Sequence, residues 1–165
     1  MRNNLGEGQE RAMTRKRRKL SIVAVDLFCG VGGLSYGLNK SGIKIVAGVD
    51  IDEGCKFAFE ENNNAPFINK SVKEISSKEI LKMYPAQSLK ILVGCAPCQP
   101  FSKYTQKEKN RETKEDWGLL HHFFKSIKEV KPMIVSMENV PQITKHKVFS
   151  DFIEGLESQN YYIDW

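Results

Sequence analysis

No apolar run in this sequence approaches the ~18 uninterrupted residues a membrane-spanning helix needs, so a transmembrane chain is not expected. Glycine and proline, at 12 and 6, are too scarce for a collagen-like or low-complexity polymer. Cysteine is sparse as well. Cys29, Cys55, Cys95 and Cys98 stand in a chain with enough apolar residues to build a core, and they do not read as a disulfide framework; a reducing cytoplasm is the expected setting. His121, His122 and His146 fall in no spacing that would complete a metal site with them. A leader peptide is not expected either, because Asp26 cuts the apolar run that follows the basic residues and no small-residue cleavage site comes after it. What is present is enough for one domain: 165 residues, 41% hydrophobic and 10% aromatic.

The net charge of +5 belongs to one segment. Arg2, Arg11, Arg15, Lys16, Arg17, Arg18 and Lys19 face only Glu7 and Glu10, and the rest of the chain balances its acids and bases. Residues 1–20 are therefore a basic flexible arm, either solvated or touching a phosphate backbone, and residues 21–165 form the folded part.

The folded part alternates strands and helices. Ile22–Val25 is a β-branched run stopping at Asp26, followed by a glycine turn at Gly30, Gly32 and Gly33 and a helix over Leu34–Lys40. Ile43–Val49 is a second strand closing on Asp50, and Glu53–Asn62 a helix with Cys55, Phe57, Ala58 and Phe59 inward. Ala65–Ile68 (strand), Ser76–Met83 (serine-capped helix) and Lys90–Val93 (strand) repeat the unit more weakly. Ser102–Trp117 is polar and aperiodic, a long loop; Gly118–Val130 is an amphipathic helix, Met133–Met137 a strand, and Val148–Gln159 a helix leading to a strand begun at Tyr161–Ile163. This rhythm predicts an α/β fold with a doubly wound, mostly parallel sheet, whose ligands sit at the carboxyl ends of the strands.

The unusual residues gather at those ends. A glycine turn after the first strand and an acid, Asp50, ending the second suit a nucleoside cofactor, since glycines allow close approach and a carboxylate accepts ribose hydroxyls. A dinucleotide fingerprint would need glycine at position 35, where Ser35 stands, which favours a single-nucleoside cofactor. Cys95-Ala96-Pro97-Cys98 admits three readings: half a zinc site, a redox pair, or a nucleophilic Cys98 with Cys95 as a small buried residue on the strand. Glu138 at a neighbouring strand end is either a helix-capping acid or a proton donor beside the nucleophile.

Together, Asp26-Leu27-Phe28-Cys29-Gly30-Val31-Gly32-Gly33, the strand ending at Asp50, Gly94-Cys95-Ala96-Pro97-Cys98-Gln99-Pro100-Phe101-Ser102 and Met137-Glu138-Asn139-Val140 closely resemble the cytosine-5 DNA methyltransferase family. The resemblance spans residues 22–141 and implies a Rossmann-like S-adenosylmethionine-dependent methyltransferase fold. It implies that S-adenosylmethionine lies with its adenine against Phe28, Ile51 and Val72, its ribose on Asp50, and its methionine part near Gly30, Gly32, Gly33 and Leu119. Ser71 stands where an acid usually binds the adenine amino group, and a serine would bond there more weakly.

The resemblance further implies that the Cys98 thiolate adds to cytosine C6 while Glu138, with Asn139 beside it, protonates or hydrogen-bonds N3. Pro97, Gln99 and Ser102 would shape the substrate side of the cysteine turn, and the lysine-bearing loop 102–117 would close over the DNA backbone. Double-stranded DNA with a flipped cytosine is the implied partner, with no metal and no membrane, in a bacterial cytoplasm or nucleoid and in a restriction-modification setting. After a strand like Tyr161–Ile163 the family continues with further blocks and a target-recognition region; the expectation is a partial catalytic domain without its carboxyl-terminal strands, either a fragment of a longer enzyme or one subunit of a split one acting with a complementary carboxyl-terminal chain. A tRNA cytosine-5 methyltransferase, an inactive remnant or binding module, and a redox protein are the alternatives.

Overall fold

A computed structural model describes residues 20–97 and 114–165 of the chain. The elements run β1 (Ser21–Leu27), α1 (Gly33–Lys40), β2 (Lys44–Asp50), a 3-10 turn (Glu53–Cys55), α2 (Lys56–Asn63), β3 (Phe67–Asn69), α3 (Ser77–Met83), β4 (Ser88–Gly94), α4 (Lys114–Val130), β5 (Ile134–Met137), a second 3-10 turn (Pro141–Lys145) and α5 (Lys147–Ser158). The strands form one sheet in the order β3-β2-β1-β4-β5, and every neighbouring pair is parallel. The chain doubles back between β1 and β4, and in such sheets the crevice beyond the strand ends at that reversal takes the ligand.

Side-chain alternation on the central strands divides the apolar residues between two cores. Val23, Val25, Leu27 and Leu92 face α3, α4 and α5, where Ile80, Phe123, Ile127, Phe152 and Leu156 cover them. Ala24, Ile91 and Val93 face the opposite way, under Leu34 and Leu38 of α1 and Phe59 of α2. β2 breaks its own alternation: Ala24 pairs with Ile45 but Val25 pairs with Ala47, so Val46 is an extra residue, a bulge. Beyond it the parity is inverted, which puts Val49 into the α3–α5 core and Gly48 beneath the Phe59 ring. A Cβ on Gly48 would lie 2.2 Å from that ring, so only glycine fits.

Several expectations need correction. β1 does not stop at Asp26; it runs to Leu27, and Asp26 is 1% exposed within the strand. The carboxyl group is tolerated there because the Ser35 hydroxyl donates to it. The helix expected over Glu53–Asn62 begins as a 3-10 turn capped by Asp52, which rotates Phe57 outward to 76% exposure while Phe59 is fully buried. The short strand is Phe67–Asn69, not Ala65–Ile68. The loop expected to reach Trp117 ends sooner, since α4 starts at Lys114; residues 102–113 of it lie outside the described residues. Tyr161–Ile163 pairs with no described strand. The Tyr161 hydroxyl instead donates to the Pro132 carbonyl at 2.6 Å, and Tyr161 and Ile163 pack against the larger core. The serine-capped helix is present with a full capping box between Ser76 and Glu79. Of the basic arm, residues 1–19 lie outside the described residues and Leu20 is exposed. Among the described residues no helix is long and apolar enough to cross a membrane.

Candidate functional site

The turn between β1 and α1 is built from left-handed backbone: Phe28 at φ 61°, Gly30 at 48° and Gly32 at 88°. Glycine adopts such values freely, but a bulky residue does so at a cost of roughly 1–3 kcal/mol, and such strain concentrates at functional sites. The twist turns the Phe28 ring edge-on to Phe123, with centroids 6.4 Å apart, at the mouth of the crevice. Gly32 meets a different constraint. A Cβ there would stand 2.2 Å from Asn63 Nδ2, which donates to the Gly32 carbonyl and ties α2 to the turn.

Two carboxylates serve this turn. Asp50, at the end of β2, accepts the Gly30 N–H on Oδ2 at 2.8 Å and the Asp52 N–H on Oδ1 at 2.9 Å. Both oxygens are held in place and each keeps a lone pair for a further donor. Asp26, one strand inward, accepts the Ser35 hydroxyl on Oδ2 at 2.7 Å, while its Oδ1 has no hydrogen-bond partner. Burial, with the nearby Asp50 charge adding to it, raises Asp26 to about 6 against the Ser35 bond. Ser35 stands in the first turn of α1, whose Gly32 cap has no side chain to offer, so Asp26 supplies from β1 the negative group that the helix start favours.

Across the crevice, β4 and β5 are joined beyond their ends. The Glu138 N–H donates to the Gly94 carbonyl at 3.1 Å, and Asn139 Nδ2 donates to the Ala96 carbonyl at 2.9 Å. Between these two bonds the Cys95 thiol donates to Glu138 Oε2 at 2.8 Å. The reading with a nucleophilic Cys98 made Cys95 a small buried residue on the strand; it stands one residue past β4, half-buried, with its sulfur on a carboxylate. Cys29 is the buried one. Burial, followed by the Asp26 and Asp50 charges, pushes its thiol far up, which leaves it inert as a nucleophile.

A cavity of about 460 Å³ opens between these two halves. Phe28, Asp50, Ile51, Ser71, Val72, Leu119 and Pro97 all line it, from turns and helix starts up to 91 positions apart in sequence, from 28 to 119. Gly30 reaches it through its bond to Asp50, and Gly32 and Gly33 open α1 behind it. The Ser71 hydroxyl accepts the Lys73 N–H at 3.2 Å. Cys98, Gln99 and Ser102 lie outside the described residues. Sequence reasoning missed Lys73, Glu74 and Cys95 as lining residues, and Ser35 as the partner of Asp26. For Ser35 a signal existed: it is the only polar side chain in the first turn of a helix facing a buried acid.

The chain matches the profile of C-5 cytosine-specific DNA methylases over residues 22–165. It is 47% identical over 142 residues to the Type II methylase M.HgiDII of Herpetosiphon aurantiacus, covering 84% of this chain and 39% of that protein. It is 32% identical over 148 residues to the Type II methyltransferase M.XorII of Xanthomonas oryzae pv. oryzae, covering 84% of this chain and 34% of that one. The chain thus spans between a third and two-fifths of the length of these relatives. Among solved structures, the Entamoeba histolytica methyltransferase EhMeth superposes with a TM-score of 0.66 at 22% identity, over 88% of this chain and 46% of that one, a likeness of fold. With the profile running from the second residue of β1 to the last residue of the chain, through both halves of the crevice, the chain belongs to the C-5 cytosine-specific DNA methylase family.

Proposed function

We propose that this chain carries the cofactor pocket and the catalytic strand ends of an enzyme that methylates C5 of cytosine in DNA within a bacterial restriction-modification system, its seat being the cytoplasm or nucleoid. The observation that carries the reading is the joining of Glu138 and Asn139 to the Gly94–Ala96 segment at the rim of the Phe28–Asp50 cavity. The residues fit S-adenosylmethionine: a cavity with an apolar wall of Phe28, Val72 and Leu119 beside one fixed carboxylate suits a purine and its ribose. Ile51, 72% exposed on the rim, gains cover when the adenine enters. Asp50 would accept the ribose hydroxyls with the lone pairs its backbone partners leave, and Ser71 would serve the adenine edge. S-adenosylmethionine, when bound, supplies an electrophilic methyl group.

The chain's own residues then prepare the base. Glu138 holds or delivers a proton at N3, Asn139 keeps the β5 end against Ala96, and Cys98 is assigned the attack on C6, which makes C5 electron-rich. Since C6 is hidden in stacked DNA, the cytosine would be flipped out, and Pro97, Gln99 and Ser102 are assigned to its binding. A complementary carboxyl-terminal chain is proposed as the partner that completes the enzyme.

Calorimetry with S-adenosylmethionine should show binding that Asp50→Ala weakens by roughly tenfold or more, as expected for losing one or two hydrogen bonds to a charged group. DNA carrying 5-fluorocytosine should form a covalent adduct in the presence of the complementary chain, and Cys98→Ser should abolish it. An adduct that survives Cys98→Ser, or methyl transfer to RNA and not to DNA, would overturn the reading.

A further inference from the structure

Glu138 follows directly on β5, and only its amide is fixed by the sheet, through the bond to Gly94. A glutamate has three side-chain torsions, so a fixed amide alone leaves the carboxylate free to sweep several ångströms. In this chain that freedom is removed by one contact, the Cys95 thiol on Oε2 at 2.8 Å. Cys95 is itself fixed from both sides, since Gly94 before it is the last residue of β4 and the Ala96 carbonyl after it is held by Asn139. In this bond the thiol is the donor and Oε2 the acceptor. Among the described residues nothing else bonds the Glu138 side chain, so Oε1 is the oxygen left to meet a substrate.

We propose that Cys95 is a positioning residue for Glu138: its thiol pins Oε2 and leaves Oε1 to be presented at the edge of the cavity that Cys95 lines. The role rests on the reading of Glu138 as the group that serves cytosine N3. It also accounts for the first cysteine of the Cys95-Ala96-Pro97-Cys98 run without zinc or a disulfide. A glycine or alanine at position 95 would leave the carboxylate unanchored, whereas serine keeps a hydroxyl donor at nearly the same point.

The test combines a titration with kinetics on the full chain. With ¹³C-carboxyl-labelled glutamate, the Glu138 resonance is identified by its loss in Glu138→Gln and followed against pH. Removing a donor from a carboxylate raises its proton affinity, so Cys95→Ala should shift the midpoint up by about one unit, tenfold in affinity, and Cys95→Ser should restore it. In methyl-transfer assays with the complementary chain, Cys95→Ala should lower kcat with KM for S-adenosylmethionine unchanged, and Cys95→Ser should recover most of the loss. A Cys95→Ala midpoint equal to that of the parent chain overturns the proposal, as does an equal shift in the alanine and serine variants, which would make the effect one of packing. Should the parent chain transfer no methyl group to any nucleic acid, the proposed function fails, while the titration still decides whether Cys95 holds Glu138.

Discussion

Asp26 is the ionisable side chain with the least access to water among the described residues, and its environment sets an unusual pH response. Its folded value of about 6 lies above the unfolded value of about 3.8. A group raised in this way stabilises the fold fully below the unfolded value and loses that contribution as pH rises through the folded one. Two units correspond to about 3 kcal/mol, so denaturant midpoints should rise on acidification from pH 7 towards 5, and Asp26→Asn should flatten that rise. Glu79 pulls in the opposite direction. Held down to about 2 by its bond to Lys70, with the Ser76 cap assisting, it contributes fully above its ordinary value of 4.5 and loses that contribution as pH falls from there through about 2. Ser35→Ala would leave the Asp26 carboxyl with neither oxygen bonded to a side chain, a loss of about 1–3 kcal/mol by urea unfolding, larger at pH 7 than at pH 5 because the charged form suffers most.

At the scale of single elements, what was legible in the sequence followed from periodicity and from caps. The Ser76 start of α3 was visible because a serine with glutamate three positions on is a local signal, and Ser76→Ala should cost about 1 kcal/mol of stability. Phe57 could not be placed by periodicity, since the 3-10 turn ahead of α2 changes the helical phase and is set by the Asp52 side chain on the Gly54 N–H. Ala65–Ile68 misses the observed β3 because register is decided by the partner: Phe67, Ile68 and Asn69 pair with Gly48, Val49 and Asp50 of β2. The contact of Gly48 with Phe59 is equally non-local. Gly48→Ala should be among the most harmful small substitutions, at about 1–3 kcal/mol or more, read as a lower thermal midpoint with the loss of a well-packed α2.

Across the whole molecule, the candidate site was more readable than its geometry. The cavity-lining residues are recognisable one by one because a left-handed turn demands glycine and a strand-end acid stands out, but their convergence depends on strand order, which no local pattern carries. The pairing of Cys95 with Glu138 was invisible for the same reason: the two lie 43 residues apart and meet only because β4 and β5 are neighbours. The two cores share β1, β2 and β4, the strands flanked on both sides, while β3 and β5 lie at the rims with three and four residues. Amide exchange should therefore be slower in β1, β2 and β4 than in the rim strands, measured by peptide-resolved mass spectrometry; equal protection throughout would contradict a two-core sheet.

The extra residue in β2 bears on how such a gene can vary. Val46 lies outside the pairing and does not line the cavity, while beyond it the number of residues from Ala47 to Asp50 decides which side of the sheet each side chain occupies. Losing one codon between Ala47 and Asp50, with the pairing up to Ala47 kept, would carry Val49 to the Phe59 side of the sheet and turn Asp50 away from Gly30, whereas losing Val46 alone would only remove the bulge. Substitutions in this strand are judged one side chain at a time, but a change of length is judged on all of them at once. Natural variation in β2 beyond the bulge should consequently run to altered letters and never to a single-residue insertion or deletion.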